Sequence, residues 1–227
     1  MGRKLLGIIF SISLIVVIFF TSFEIAMYSD FDFYEKEYRK YEVEKELDMS
    51  YPDIMRVTRY MMDYLRGEEE VLTFQTTIEG EEQDFFNEQD RFHMGEVKNL
   101  FLGGYSIRRI AIGVCVVTLA ILIFLDKKWT LTLGVIYQRT LATFMFGILA
   151  LGTVIAMNFK RCFIIFHEIF FDNDLWLFDP ATDYMIRMLP EGFFFDMVIR
   201  IGALMLILLM LSILFARKIV KKNKKNL

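Results

Sequence analysis

Only two histidines occur among the 227 residues, His93 and His167. An imidazole is the side chain whose ordinary pKa, about 6.5, suits proton transfer near neutrality, so both are candidates for general acid–base work. His167 opens the stretch "HEIFFDNDLW", which sets Glu168, Asp172, Asn173 and Asp174 among aromatic residues as far as Trp176. The pattern stops short of a zinc-protease helix: Phe171 stands four residues after His167, where H-E-x-x-H places its second ligand. Catalytic zinc takes three protein ligands. His93, His167 and a carboxylate would supply three, but nothing in the spacing asks for it.

A protein nucleophile is equally hard to find. No G-x-S-x-G occurs. Cys162 lies five residues before His167, which on a helix puts the two on different faces, because only i+3 and i+4 align. Acyl transfer would therefore need a substrate that brings its own nucleophile. Each residue also has a bland explanation. His93 fits a satisfied histidine on an apolar helix face, His167 fits a ring among lipid headgroups, and Trp176 with the nearby phenylalanines fits an aromatic belt.

The elements that must position these groups are those of a membrane protein. Hydrophobic residues make up 55% of the chain, and mean hydropathy is +0.40, which is too apolar for an ordinary soluble domain. Four uncharged runs stand out: Leu5–Phe23, Ile110–Leu125, Thr140–Phe159 and Ile201–Ala216. About 20 apolar residues span a bilayer. The first and third runs suffice alone, and the others suffice if Arg109 and Arg200 snorkel to the interface. Leu5–Phe23 is long for a signal-peptide core and lacks a small-x-small cleavage site, so it is expected to remain as a helix.

Positive charge sets the expected orientation. Arg3 and Lys4, Lys127 and Lys128, and the tail "RKIVKKNKKNL" belong in the cytoplasm by the positive-inside rule. Tyr28–Tyr105 then faces outward; it holds 9 Lys and Arg against 20 Asp and Glu, a net −11. That acidity speaks for solvent exposure, and nucleic-acid binding has no support, since the only basic run is a short membrane-flanking tail. Cys115 and Cys162 form neither a disulfide framework nor a zinc spacing.

The expected fold is an α-helical membrane protein of four transmembrane helices with a small α+β extracytoplasmic cap. Its expected organisation is a first span over 1–27, an extracytoplasmic α+β domain over 28–105 and a second span over 106–125. A cytoplasmic connection over 126–139 and a third span over 140–159 follow. The second extracytoplasmic segment, 160–194, carries the His167 stretch, and the fourth span (195–216) and the basic cytoplasmic tail (217–227) complete the chain. Within the cap, Phe31, Tyr34, Tyr38 and Tyr41 recur at helical spacing, as an outward continuation of the first span would. "SYPD" predicts a helix start with Ser50 as N-cap and Asp53 as capping-box acid, closed by Gly67. Val71–Ile78 reads as a strand turning at Gly80, with its partner in 82–92 or in the second outer segment. "RFHMGEVKNLFLGG" reads as a short helix ending at Gly103–Gly104, with His93, Val97 and Leu100 on one face. Arg108, Arg109, Lys160, Arg161 and Arg200 fall at outer helix ends, suited to phosphate headgroups or to substrate.

The stretch "FHEIFFDNDLWLFDPATDYMIRMLPEGFFFD", with "HMGEVKNLF" upstream and four spans around them, resembles the lipoprotein intramolecular transacylase (Lit) family, integral membrane proteins of low-GC Gram-positive bacteria. The resemblance covers essentially the whole chain; its specific parts are these two segments, with Phe178 standing where a leucine is expected. It implies a substrate: a bacterial lipoprotein whose N-terminal cysteine carries an S-diacylglyceryl group and a free α-amine. It also implies transfer of the sn-2 acyl chain onto that amine, giving the lyso form, with no acyl-enzyme and no cofactor. Diacylglyceryl-modified lipoproteins and membrane lipid are the implied partners. His93 and His167 are the positions that carry over as catalytic. Glu168, Asp174 or Asp179 is suited to fixing a histidine tautomer, Asn173 to donating to an oxyanion, and Trp176 to walling the acyl groove. Two readings of other classes stand beside this one: a non-catalytic lipoprotein- or lipid-binding membrane protein, and a membrane hydrolase.

Overall fold

The computed structural model describes residues 2–225, so Met1 and the end of the basic tail lie outside the described residues. Long helices dominate: α1 (Gly2–Tyr28), α5 (Glu88–Leu125), α6 (Trp129–Met157) and α9 (Glu191–Lys225). All four are long and apolar enough to cross a bilayer. Between α1 and α5 come α2 (Asp32–Lys40), α3 (Val43–Leu47), α4 (Tyr51–Arg66), β1 (Gln75–Ile78) and β2 (Glu81–Asp84). Between α6 and α9 come α7 (Phe159–Phe170) and α8 (Tyr184–Met188).

The chain divides into two compact units. The first comprises 1–26, 105–158 and 200–227. In it α1, α6 and α9 meet through Ile15, Ile18, Tyr137, Leu141, Met205 and Leu209. Two buried hydroxyls of α1 are satisfied within their own helix, as membrane burial demands: Ser11 donates to the Gly7 carbonyl at 2.6 Å and Ser22 to that of Ile18 at 2.8 Å. Arg108 pairs with Glu24, so one of the cations expected at outer helix ends is matched by a carboxylate of α1. Many large apolar side chains of this unit are exposed, Phe124 at 90% and Phe146 at 79% among them, as lipid-facing residues are.

The second unit, 27–104 and 159–199, holds both histidines. Its core gathers Tyr34 and Tyr38 of α2, Ile54, Val57 and Met62 of α4, and Phe193 of α9. The Tyr38 hydroxyl shares a 2.8 Å hydrogen bond with Thr58, which removes the cost of burying either alone. Helix α4 starts and stops as its sequence requires: Ser50 Oγ accepts from Asp53 N, and Gly67 closes it in the left-handed region at φ +88°. The aromatic spacing Phe31–Tyr41 is helical, but α1 stops at Tyr28 and α2 is a separate element.

The strand prediction is shortened and completed. Only Gln75–Ile78 of Val71–Ile78 is a strand, paired antiparallel with Glu81–Asp84 in the register Gln75↔Asp84 to Ile78↔Glu81. The tight turn uses positive φ at Glu79 and Gly80, the backbone that suits a two-residue hairpin. The helix carrying His93 does not end at Gly103–Gly104; it runs unbroken to Leu125. Two interior glycines cost about 1 kcal/mol each relative to alanine, and the apolar residues on both sides outweigh them. Helix α6 likewise begins at Trp129, well ahead of the uncharged run from Thr140.

Candidate active site

Three local devices bring the His167 stretch against the start of α5. A reciprocal capping box opens that helix: Asn87 Oδ1 accepts from Asp90 N at 2.9 Å and Asp90 Oδ2 accepts from Asn87 N at 3.0 Å. The Asn87 amide donates onward to Asp183 Oδ1 at 2.6 Å. Gln89 donates to the carbonyls of Leu175 and Leu177, at 3.0 and 3.2 Å. The loop after α7 is thereby tied through its middle and its far end to the start of α5, one turn before His93. Burial pushes the Asp90 carboxyl up to about 6, helped by the nearby Asp183 and opposed by its bond to Asn87.

His93 and His167 come together. Their rings lie 5.9 Å apart between centroids and only 24° from parallel, and both side chains are buried. Aromatic rings enclose them. Phe171 touches both, at 4.8 Å from His93 and 5.5 Å from His167. Phe178 meets His93 edge-on at 5.4 Å. Trp176 lies over His167 at 4.8 Å and 30°, and Phe163 packs at 4.3 Å.

The protonation pattern follows from hydrogen bonding. His167 Nδ1 is 2.7 Å from the Phe163 carbonyl, one turn back on α7. A carbonyl can only accept, so Nδ1 carries the hydrogen, and the neutral ring keeps its lone pair on Nε2. His93 lies on α5 ahead of the apolar run Ile110–Leu125. Burial, and secondarily the neighbouring imidazole, pull its pKa down to about 4. Burial also lowers that of His167, against the opposing effect of the Phe163 carbonyl. Both imidazoles are thus neutral at pH 7, as a proton acceptor must be.

The remaining site candidates divide. Trp176 stands at the site. Asn173 does too, but one of its N–H groups is committed to Glu96 Oε1 at 2.8 Å. Glu168 is exposed on α7, one residue and about 100° of helix from His167. Asp174 is exposed in the loop. Asp179 builds a turn, its Oδ1 accepting from Ala181 N at 2.9 Å. The His167 tautomer is instead governed by a backbone carbonyl on α7, and among the described residues Glu96 brings a carboxylate to an imidazole, with Oε2 3.9 Å from His93 Nδ1. Glu96 was readable as the i+3 neighbour of His93 on a helix. Cys162, also on α7, lies about 140° around the helix from His167. Among the described residues, no three His, Cys, Asp or Glu side chains gather as a metal site.

The sequence pattern of the family described as "Lipoprotein intramolecular transacylase Lit" matches residues 8–194. The chain belongs to the Lit family. Its fold is similar to that of the membrane-integral lipoprotein intramolecular transacylase Lit from Bacillus cereus, with a TM-score of 0.79 and 25% identity over 99% of this chain and 98% of the other. A variant of the Bacillus cereus protein in which a histidine is replaced by alanine gives a TM-score of 0.76, at 25% identity over 99% and 96% of the two chains. No curated protein sequence matches the chain. Membership of the Lit family makes this a multi-pass membrane protein of a transacylase family, and α1, α5, α6 and α9 contain its spans.

Proposed function

We propose that this protein moves the sn-2 acyl chain of an S-diacylglyceryl lipoprotein onto the α-amine of the same molecule's N-terminal cysteine. The observation that carries the reading is the apposition of two buried, neutral imidazoles in an aromatic enclosure, one of them presenting Nε2 as an acceptor. The flanks of the enclosure suit a lipid substrate: Phe166, Ile169, Phe170 and Leu177 are exposed around it. The lipoprotein substrate itself is taken from the family name.

The chemistry balances without an acyl-enzyme. The free α-amine, whose pKa is about 7.7–8.0, enters as the neutral base. Its nitrogen attacks the sn-2 carbonyl carbon while one N–H passes to His167 Nε2. His93 orients the substrate or stabilises the tetrahedral oxyanion. The carbon–oxygen bond to glycerol then breaks, His167 returns its proton to the sn-2 oxygen, and an amide replaces an ester with no change in mass. Nucleophile and ester share one molecule, so orientation supplies much of the acceleration; well-aligned intramolecular reactions reach effective molarities of about 10⁵–10⁸ M.

Arg3, Lys4, Lys127, Lys128 and the basic tail support cytoplasmic termini and an extracytoplasmic site in the cell membrane. The test is expression in a host lacking lipoprotein N-acylation, followed by mass spectrometry of a lipoprotein N-terminal peptide. An acyl shift at constant mass is expected; acyl loss would indicate a hydrolase, and an unchanged peptide a binding protein. His167→Asn should lower the rate by about 10²–10⁴-fold, the usual worth of a general base, and His93→Asn should also abolish detectable product. Full activity in an inserted, folded His167→Asn variant would refute the assignment.

A further inference from the structure

Glu96 sits one turn after His93 on α5. Its Oε2 and the imidazole Nδ1 are 3.9 Å apart. Both atoms are buried, and neither has a hydrogen-bond partner among the described residues. A buried polar atom left alone is costly, and native structures rarely leave two face to face without a use. The other carboxylate oxygen is engaged: Oε1 accepts from Asn173 Nδ2 at 2.8 Å, while Asn173 Oδ1 accepts from Leu175 N at 2.9 Å. The carboxylate is therefore held by the same loop that carries Trp176 and Phe178.

We propose that Glu96 is the positioning residue of His93: its Oε2 keeps the hydrogen on Nδ1, so that His93 presents Nε2 to the reacting groups. A closure of about 1 Å turns the 3.9 Å approach into a hydrogen bond of ordinary length. Of the two roles open to His93, this tautomer selects orientation: the lone pair on Nε2 accepts from the amine and cannot donate to an oxyanion, while the proton itself passes to His167. The two histidines then share one orientation by different means, a main-chain carbonyl for His167 and a carboxylate for His93. This inference rests on the transacylase reading of the site.

Glu96→Gln separates positioning from simple bracing. The glutamine carbonyl still accepts from Asn173, but its NH2 faces His93 Nδ1 and selects the opposite tautomer. With purified protein and a synthetic diacylglyceryl lipopeptide, kcat should fall by about 10²-fold or more, the scale of a wrong-tautomer substitution in a serine-protease triad. KM should stay within about threefold, and Glu96→Asp should recover part of the loss. An unchanged kcat, or a loss confined to KM, would overturn the proposal. Should Glu96→Gln fail to fold, ¹⁵N spectra of histidine-labelled wild-type protein decide: Nδ1–H on His93 supports the proposal and Nε2–H overturns it. An inactive wild-type protein would remove the transacylase reading, and the tautomer measurement would still judge Glu96.

Discussion

Acidification offers a sharp test, because the environment of the two imidazoles and the chemistry of the amine predict different slopes. Burial holds His93 at about 4 and lowers His167. A lowered pKa keeps an imidazole in its base form to more acidic pH, so the histidines remain competent where ordinary ones fail. At pH 5.5 an imidazole of pKa 6.5 is about 90% protonated, whereas one at about 4 is about 3% protonated. The substrate amine does titrate. With a pKa near 7.8, its neutral fraction falls about 30-fold between pH 7 and 5.5. If an ordinary histidine were also required as a base, a further factor of about 8 would apply, for about 200-fold in all. The measurement is kcat/KM for a lipopeptide across pH 5–9 in a detergent or lipid mesophase of constant composition, since this parameter reports the free enzyme and free substrate. His167, the proposed base, is shifted down from the ordinary imidazole value by burial, so the expected fall lies between about 30-fold and about 200-fold, with no histidine break at 6.5. A fall of about 200-fold with a second break at 6.5 would show that the required base is not a buried imidazole of this site.

Two further substitutions probe the enclosure and its scaffold. Trp176→Ala strips the ring that lies 4.8 Å from His167; water then reaches the base, and kcat should drop about tenfold while the histidine break moves up toward 6.5, with Trp176→Phe close to wild type. Gly67→Ala places a Cβ at φ +88° and should cost about 1–2 kcal/mol, seen as a lower Tm in detergent with activity retained below the melting temperature.

The parts of the fold governed by periodicity and capping were visible in the residues themselves. Uninterrupted apolar runs announce the spans, and Ser50, Asp53 and Gly67 mark both ends of α4 because caps depend on local chemistry. Gly103–Gly104 mislead for the opposite reason: glycine's modest penalty is local, and the apolar surface that carries α5 through them is not. The pairing of His93 with His167 followed from scarcity, as two histidines have only each other. What surrounds them was harder. Glu168, Asp174 and Asp179 look close to His167 along the chain, yet a helix turns about 100° per residue and a loop carries the others away. Phe163 supplies a main-chain carbonyl, a group every residue type possesses, so no letter of the sequence could announce it. Glu96 was within reach of helical spacing, but nothing in the sequence predicts that its second oxygen is fixed by Asn173.

The bond from His167 Nδ1 to the Phe163 carbonyl also restricts how the ring can move during turnover. A half-turn of the imidazole would aim a carbon at that carbonyl and forfeit the bond, so the two nitrogens do not exchange places. Under the proposed reaction, one atom, Nε2, must both collect a proton from the amine and hand it to the glycerol oxygen. The base is a pivot around which the substrate rearranges. Two heavy atoms that each come within about 3 Å of a single point lie no more than about 6 Å from each other. The enclosure thereby selects folded conformers of the lipid-modified cysteine, with amine and sn-2 oxygen turned to the same side, over the extended ones that predominate in a free chain.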